Sequence, residues 1–135
     1  MTRDEIAGKV RSVLVEALAV DDDEVTPEAS LTRDLGAESI DYLDILFRLE
    51  RAFGVKIPRG QITREARGEL SEEEFQQDGV VTASGLERLR IHLSEVPPER
   101  IKPGLKVGEI PSLFTVETFC RLVVRALEAK ARETA

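Results

Sequence analysis

The 135-residue chain has no tryptophan, one tyrosine (Tyr42), one histidine (His92) and one cysteine (Cys120). A single cysteine closes no internal disulfide. One histidine and one cysteine without paired spacing do not make a zinc site. Ser39 and His92 are not accompanied by the glycine pattern of a nucleophile elbow, so a hydrolytic triad has no support either. No apolar run is long enough to cross a bilayer, and the first residues lack a basic-then-apolar leader, which makes the cytoplasm the expected compartment. Basic residues are in deficit, 19 against 26 acidic ones, for a formal charge of −7. Nucleic acid is therefore a poor partner, because phosphate binding needs a basic surface that displaces counterions.

What the chain does have is helical periodicity. Its apolar content of 41% suits one domain, residues 1–135, with one modest core. Ile6, Val10, Val13, Leu14, Ala17 and Leu18 predict an amphipathic helix over about 3–19 with Thr2 as its cap. Asp21-Asp22-Asp23 stops it, and a long loop follows to Glu38, anchored by Val25, Leu31 and Leu35. Connections of that length are usually functional or disordered, and the spaced apolar anchors favour a packed loop. A second helix over about 39–53 holds Ile40, Leu43, Ile45, Leu46, Phe47, Leu49 and Phe53, more than one narrow stripe accommodates. The last helix starts after Thr115, with Val116, Phe119, Cys120, Val123 and Leu127 on one face, and is expected to run to about Ala131. Cys120 on that face is expected to be a small core residue.

Between the second and last helices lie residues 59–114. Ser71-Glu72-Glu73-Glu74 is a capping box that opens a short helix through about Gln77, ended by Asp78-Gly79. Thr82 begins another, with Leu86, Leu89 and Leu93 as its stripe to about Val96 and Gly85 weakening its first turn. Pro97-Pro98 and Lys102-Pro103-Gly104 break the chain into a loop, which Ile101, Leu105, Val107, Ile110 and Leu113 keep apolar enough to pack. Without repeats or low-complexity linkers, this segment is expected to fold onto the same bundle.

The junction Asp34-Leu35-Gly36-Ala37-Glu38-Ser39-Ile40-Asp41 is the most informative stretch. A serine at a helix start can simply cap it, accepting a free N–H of the first turn. Ser39, however, stands between a glycine-containing loop and the ladder Ile40, Leu43, Leu46, Leu49 and Phe53, closed by Gly54-Val55-Lys56-Ile57-Pro58. In this order and spacing the chain resembles the acyl carrier protein family over residues 3–58 and 112–130. Asp41 through Phe47, Ile57-Pro58 and the run from Thr63 to Phe75 look like specialised carriers that deliver very long acyl chains for bacterial lipid A.

The resemblance implies an all-α, four-helix bundle with extra helices in the insertion at about 59–114. It implies a 4′-phosphopantetheine arm, donated by coenzyme A, on Ser39, with Glu38 and Gly36 at the cofactor site. Glu38 replaces the family's usual aspartate, which helps the modifying transferase arrange a metal ion and coenzyme A. Asp41, Asp44, Arg48 and Arg51 are the candidate partner-binding residues; the two arginines interrupt an otherwise acidic helix face. Leu43, Leu46, Phe47, Phe53 and Ile57 are the candidate acyl-chain lining, with Leu86, Leu89 and Leu93 as an extension. The few aromatics leave an aliphatic, adaptable core suited to such a guest.

The function implied is carriage of thioester-bound acyl intermediates in fatty acid or specialised lipid biosynthesis, by a monomer with no catalysis of its own. Its partners would be a phosphopantetheinyl transferase, acyl-chain synthases and acyltransferases, with no nucleic acid and no membrane span. An unmodified carrier-fold interaction module and a carrier of polyketide or aminoacyl units are the alternatives.

Overall fold

In the computed structural model, residues 1–58 and 60–134 are described, the Thr134 side chain excepted. The first helix, α1 (Arg3–Leu18), opens on the expected cap. Thr2 Oγ1 accepts the Glu5 N–H, and Glu5 Oε1 accepts the Thr2 N–H, both at 3.2 Å. Ile6, Val10 and Leu14 are its buried stripe, and Ala19 ends it in the left-handed region. Beyond a 3₁₀ turn at Asp22–Glu24, the loop buries Val25, Leu31 and Leu35 as expected. It is stitched by backbone pairing to the segment before the last helix. The Leu31 N–H donates to the Phe114 carbonyl at 3.2 Å, and the Val116 N–H to the Ala29 carbonyl at 3.0 Å.

Helix α2 (Ser39–Phe53) buries Ile45, Leu49 and Phe53 and closes on Gly54 at φ 64°. Only glycine takes that conformation without strain. Helix α3 (Gln61–Arg67) follows. The periodicity reading passes over it, because seven residues with only Ile62 and Ala66 buried are too short to display a repeat.

Helix α4 (Glu72–Phe75) opens on the Ser71 capping box but stops short of Gln77. Gln76–Gln77 (β1) instead pairs antiparallel with Val80–Val81 (β2) around Asp78 and Gly79, both at positive φ. An Asp-Gly pair is the usual two-residue hairpin turn, and here that preference displaces the last turn of helix. Helix α5 (Ala83–His92) starts at the Thr82 cap and ends before Val96, although Leu93 and Val96 remain buried beyond its end. Two 3₁₀ segments, Pro98–Arg100 and Val107–Leu113, carry the chain to α6 (Val116–Thr134). That last helix continues past the expected Ala131.

The result is a helical bundle with extra helices. Helix α1 packs on α2 and α6, and α5 packs on α3 and α4. Leu14, Leu31, Ile45 and Leu49 share one apolar cluster with Leu89, Leu93 and Ile101 from the segment between α2 and α6. Polar contacts reinforce the junction. Arg125 pairs with Glu65 at 3.1 Å, and Arg121 with the buried Glu95 carboxylate at 2.9 Å. Glu95 also accepts the Thr118 hydroxyl at 2.6 Å. Such partly desolvated, multiply bonded charges hold geometry better than exposed pairs do.

Gly85 weakens α5 by propensity, yet the packing demands it. A β-carbon there would overlap the Phe75 carbonyl oxygen and lie 2.7 Å from Val81 Cγ1. Gly85→Ala is therefore expected to destabilise the fold by roughly 1–3 kcal/mol, the usual range for overpacking. Urea denaturation would read this as a lower midpoint; an unchanged or raised midpoint would show that helix propensity outweighs the clash.

Candidate functional site

The loop before α2 is anchored up to Ala37, which is buried and donates its N–H to the Leu31 carbonyl at 2.8 Å. Gly36 just before it takes φ +72°, a turn that favours glycine. Glu38, Ser39 and Ile40 then emerge together as exposed residues. Glu38 occupies the cap position, and its N–H donates to Asp41 Oδ2 at 2.8 Å. Ser39 is thus the first residue of the helix and not its cap, and its hydroxyl has no hydrogen-bond partner among the described residues. A free hydroxyl here lies at the positive end of the helix dipole, beside backbone N–H groups that favour an anion.

From Ser39 a cavity of about 470 Å³ runs between α2, α3 and α6. Leu43, Leu46 and Ile57, three of the expected lining residues, lie on it. Phe47 does not: it is exposed and borders a depression with Glu50, Arg51 and Lys56. Phe53 is buried away from the cavity, with Lys9 Nζ 5.5 Å above its ring. Leu86, Leu89 and Leu93 are buried in the core but are not among the cavity's lining residues.

The sequence reading missed Tyr42, Ile62, Phe114, Phe119 and Leu122 as lining. The apolar face of α6 was visible in the periodicity; which part of it meets α2 depends on packing. Tyr42 is the best fixed of these. Its ring lies 6.2 Å from both Phe114 and Phe119, which are themselves 5.9 Å apart. Its hydroxyl is 2.7 Å from Thr32 Oγ1 and donates to the Pro111 carbonyl at 3.1 Å. Burial raises the phenol pKa above its ordinary value, so Tyr42 stays a neutral donor.

The charged face of α2 is partly consumed by the fold. Glu50 turns inward, its carboxylate accepting the Ile57 N–H at 2.6 Å. Asp41 is held by the Glu38 N–H, and Asp44 by Arg48 Nε at 2.9 Å, while Arg48 also lies 3.6 Å from Glu16. Arg51 remains exposed. Beside these charges, Ile40, Leu43 and Phe47 form an outward apolar stripe, respectively 76%, 42% and 57% exposed. Contiguous exposed apolar side chains of this kind mark interaction surfaces.

Residues 8–66 match the sequence profile of the phosphopantetheine attachment site. The chain is 43% identical over 68 residues to the acyl carrier protein AcpXL of Brucella melitensis, covering half of this chain and 73% of that protein. The chain belongs to the acyl carrier protein family. A second carrier, from Rubrobacter xylanophilus, is 47% identical over 58 residues, 43% of this chain and 72% of its own length. AcpXL of Rhizobium meliloti is 40% identical over 68 residues, covering 72% of that protein.

Members of this family are carriers and not enzymes, they hold 4′-phosphopantetheine covalently, and they interact with synthases and transferases. Among the described residues, no helix is long and apolar enough to cross a membrane. The arm fits the chain's own geometry, since the junction offers an exposed, unpartnered hydroxyl at a helix start beside an apolar cavity. The profile match runs through nearly all of α3, so the likeness reaches past Pro58.

Tyr42→Phe leaves the Pro111 carbonyl without its donor and is expected to cost about 1–2 kcal/mol in a thermal melt; no loss would show that water replaces the hydroxyl. Cys120 is buried and its thiol is pushed up to about 11, with burial as the main cause. Because the thiolate is the reactive form, Cys120 in the native protein is expected to resist iodoacetamide at neutral pH and to react on unfolding. Rapid native labelling, followed by mass spectrometry, would contradict this.

Proposed function

We propose that Ser39 carries the phosphopantetheine arm and that the protein shuttles acyl intermediates among the enzymes of fatty acid or specialised lipid biosynthesis. The observation that carries the reading is the Ser39 hydroxyl itself, exposed, without a partner, and opening onto the apolar cavity. When bound, the arm supplies a distal thiol that holds the acyl group as a thioester. The chain's part is position. The first turn of α2 offers free N–H groups to a phosphate on Ser39, Gly36 sets the turn, and Glu38 places a carboxylate beside the hydroxyl for the modifying transferase.

Leu43, Leu46 and Ile57 then give the acyl chain a place out of water, with roughly 0.8 kcal/mol gained per buried CH₂. Similarity to AcpXL over half the chain supports specialised lipid cargo of long chain length. We place Asp41, Asp44, Arg48 and Arg51 on the surface that partners read. An acidic pair followed by a basic pair selects among partners by penalising wrong charge pairs. The chain acts as one domain, a cytoplasmic monomer, in which the segment at about 59–114 completes the bundle and walls the cavity.

A second reading, a carrier fold used unmodified for docking, draws on the exposed Ile40–Leu43–Phe47 stripe and on Glu38 in place of aspartate. Intact-protein mass after incubation with coenzyme A, Mg²⁺ and a broad-specificity phosphopantetheinyl transferase separates the two. The expected result is one added phosphopantetheine on the parent and none on Ser39→Ala. Since Ser39 makes no capping bond, Ser39→Ala is also expected to melt within about 1 kcal/mol of the parent. No gain by the parent, with the dedicated transferase of its source included, would favour the docking module.

A further inference from the structure

Among the described residues, two buried side-chain nitrogens have no hydrogen-bond partner, His92 Nε2 and Arg67 Nε. The imidazole meets the shortage by itself, since burial lowers its pKa and a neutral ring can leave Nε2 without a proton. Arg67 has no such way out, because a guanidinium stays protonated. A buried N–H with no acceptor is costly. The place of Arg67 in the last turn of α3 accounts for a cation there, through the helix dipole, but leaves Nε unbonded.

Arg67 lies on a cavity of about 330 Å³ between α3, α4 and the β1–β2 hairpin. That is the small end of ordinary ligand pockets, ~300–1,000 Å³. Donors crowd it. Arg64 lines it one turn earlier, and so does Thr63, whose hydroxyl makes no hydrogen bond among the described residues. Gln76 lines it as well. Because the Gln76 Oε1 accepts the Gly79 N–H at 2.8 Å, the end of the amide left over is its NH₂ donor. Arg88 Nε donates to the Ala66 carbonyl at 3.2 Å, which brings a third guanidinium to this end of α3. Against these stands one carboxylate on the cavity, that of Glu72 at the start of α4. The buried Phe75 ring forms part of the same lining, and an apolar neighbour strengthens polar contacts made beside it.

We propose that this cavity is an anion site for a phosphate group, free or as the monoester of a small molecule, held by Arg67 with Arg64, Thr63 and Gln76. The number of donors decides the class. A carboxylate offers two oxygens, whereas four separate donor groups match the larger set of acceptor oxygens on a phosphate, which the guanidinium fork also suits. Most of the lining lies beyond the matched residues 8–66, so the site belongs to the segment between α2 and α6 and not to the attachment profile. Thr63 also lines the cavity beside Ser39, so the two spaces adjoin. The inference does not depend on Ser39 being modified.

The test is an NMR titration of the ¹⁵N-labelled full chain, at constant ionic strength, with inorganic phosphate, glycerol phosphate, adenosine monophosphate and acetate. With phosphate, the Arg67 Nε–H and the Gln76 side-chain amide signals are expected to move together and to saturate. Arg67→Gln is expected to weaken binding on the order of tenfold, as the loss of one charge-assisted hydrogen bond does. Glu72→Gln is expected to tighten it, since the one opposing charge is gone. Arg67→Lys, which keeps the charge but not the fork, should fall between Arg67→Gln and the parent. The parent titration decides even if Arg67→Gln fails to fold, because its readout is Arg67 itself. Equal binding of the three phosphates supports a site for the bare group, and tighter binding of an ester supports a monoester. Acetate moving the same signals at the same concentrations would overturn the phosphate assignment. Shifts that never saturate and spread over surface lysines and arginines would overturn the site. So would an Arg67 Nε–H signal that ignores phosphate yet moves on Glu72→Gln, which would make Glu72 the partner.

Discussion

The site depends on how the loop before α2 is held. Residues 19–38 contain little regular structure, yet they must deliver Ser39 to a fixed place at the mouth of a cavity. Backbone pairing around Ser30 and Thr115 does this, with Leu31 bonded to Phe114 and Val116 to Ala29. The buried Val25, Leu31, Leu35 and Ala37 add apolar anchoring on the same side. Tyr42 extends the tie across the first turns of α2, its hydroxyl contacting Thr32 in the loop and Pro111 before α6. The start of α2 is therefore fixed by the segment that leads into α6, with Tyr42 and Pro111 69 residues apart along the chain. Ser39 stays exposed and unpartnered because others do the anchoring: Asp41 satisfies Glu38, and Ala37 goes into the core.

Long helices were legible because their buried residues recur every three or four positions, as Ile6, Val10 and Leu14 do. Short elements were not. Helix α3 buries Ile62 and Ala66, a single spacing of four that any loop could show by chance. At Asp78-Gly79 the local sequence carried two compatible signals, a helix stop and a hairpin turn, and only pairing with Val80–Val81 decides between them. The place of Ser39 at the start of α2 was legible, as was that of Leu43, Leu46 and Ile57 near it. Phe47 and Phe53 were misplaced because α2 is apolar on more than one side, and hydrophobicity does not say which side is a cavity, which is core and which is left to solvent. Glu50 shows the same limit for charge. It reads as part of an acidic surface, whereas the turn after Gly54 brings the Ile57 N–H to it.

The segment between α2 and α6 does more than lengthen the chain. Ile62 from α3 and Pro111 and Phe114 from the approach to α6 line the cavity, so residues outside the α1, α2 and α6 packing shape the space beside Ser39. Its remaining helices are bound in by contacts that tolerate little change. Gly85 lets α5 meet the Phe75 backbone, Arg88 Nε donates to the Ala66 carbonyl near the end of α3, and Glu95 holds Arg121 and Thr118 of α6. The Arg88 contact places a cation at the C-terminal end of α3, where the helix dipole favours it.

Helix α2 presents two apolar surfaces that meet at its N-terminal end. Ile40 and Leu43 line the cavity and also belong to the outward stripe that continues to Phe47. Anything seated on the stripe therefore also covers the cavity mouth beside Ser39. If the stripe takes a partner and the cavity takes the cargo, as proposed, docking and cargo release are coupled by this geometry, because Ile40 and Leu43 belong to both surfaces. A differential affinity for one arrangement of Ile40 and Leu43 over another is all that such coupling requires. The charges on either side, Asp41 and Asp44 toward Ser39 and Arg48 and Arg51 beyond, flank this shared apolar patch. The flanking charges and the mouth of the cavity thus lie within three turns of one helix.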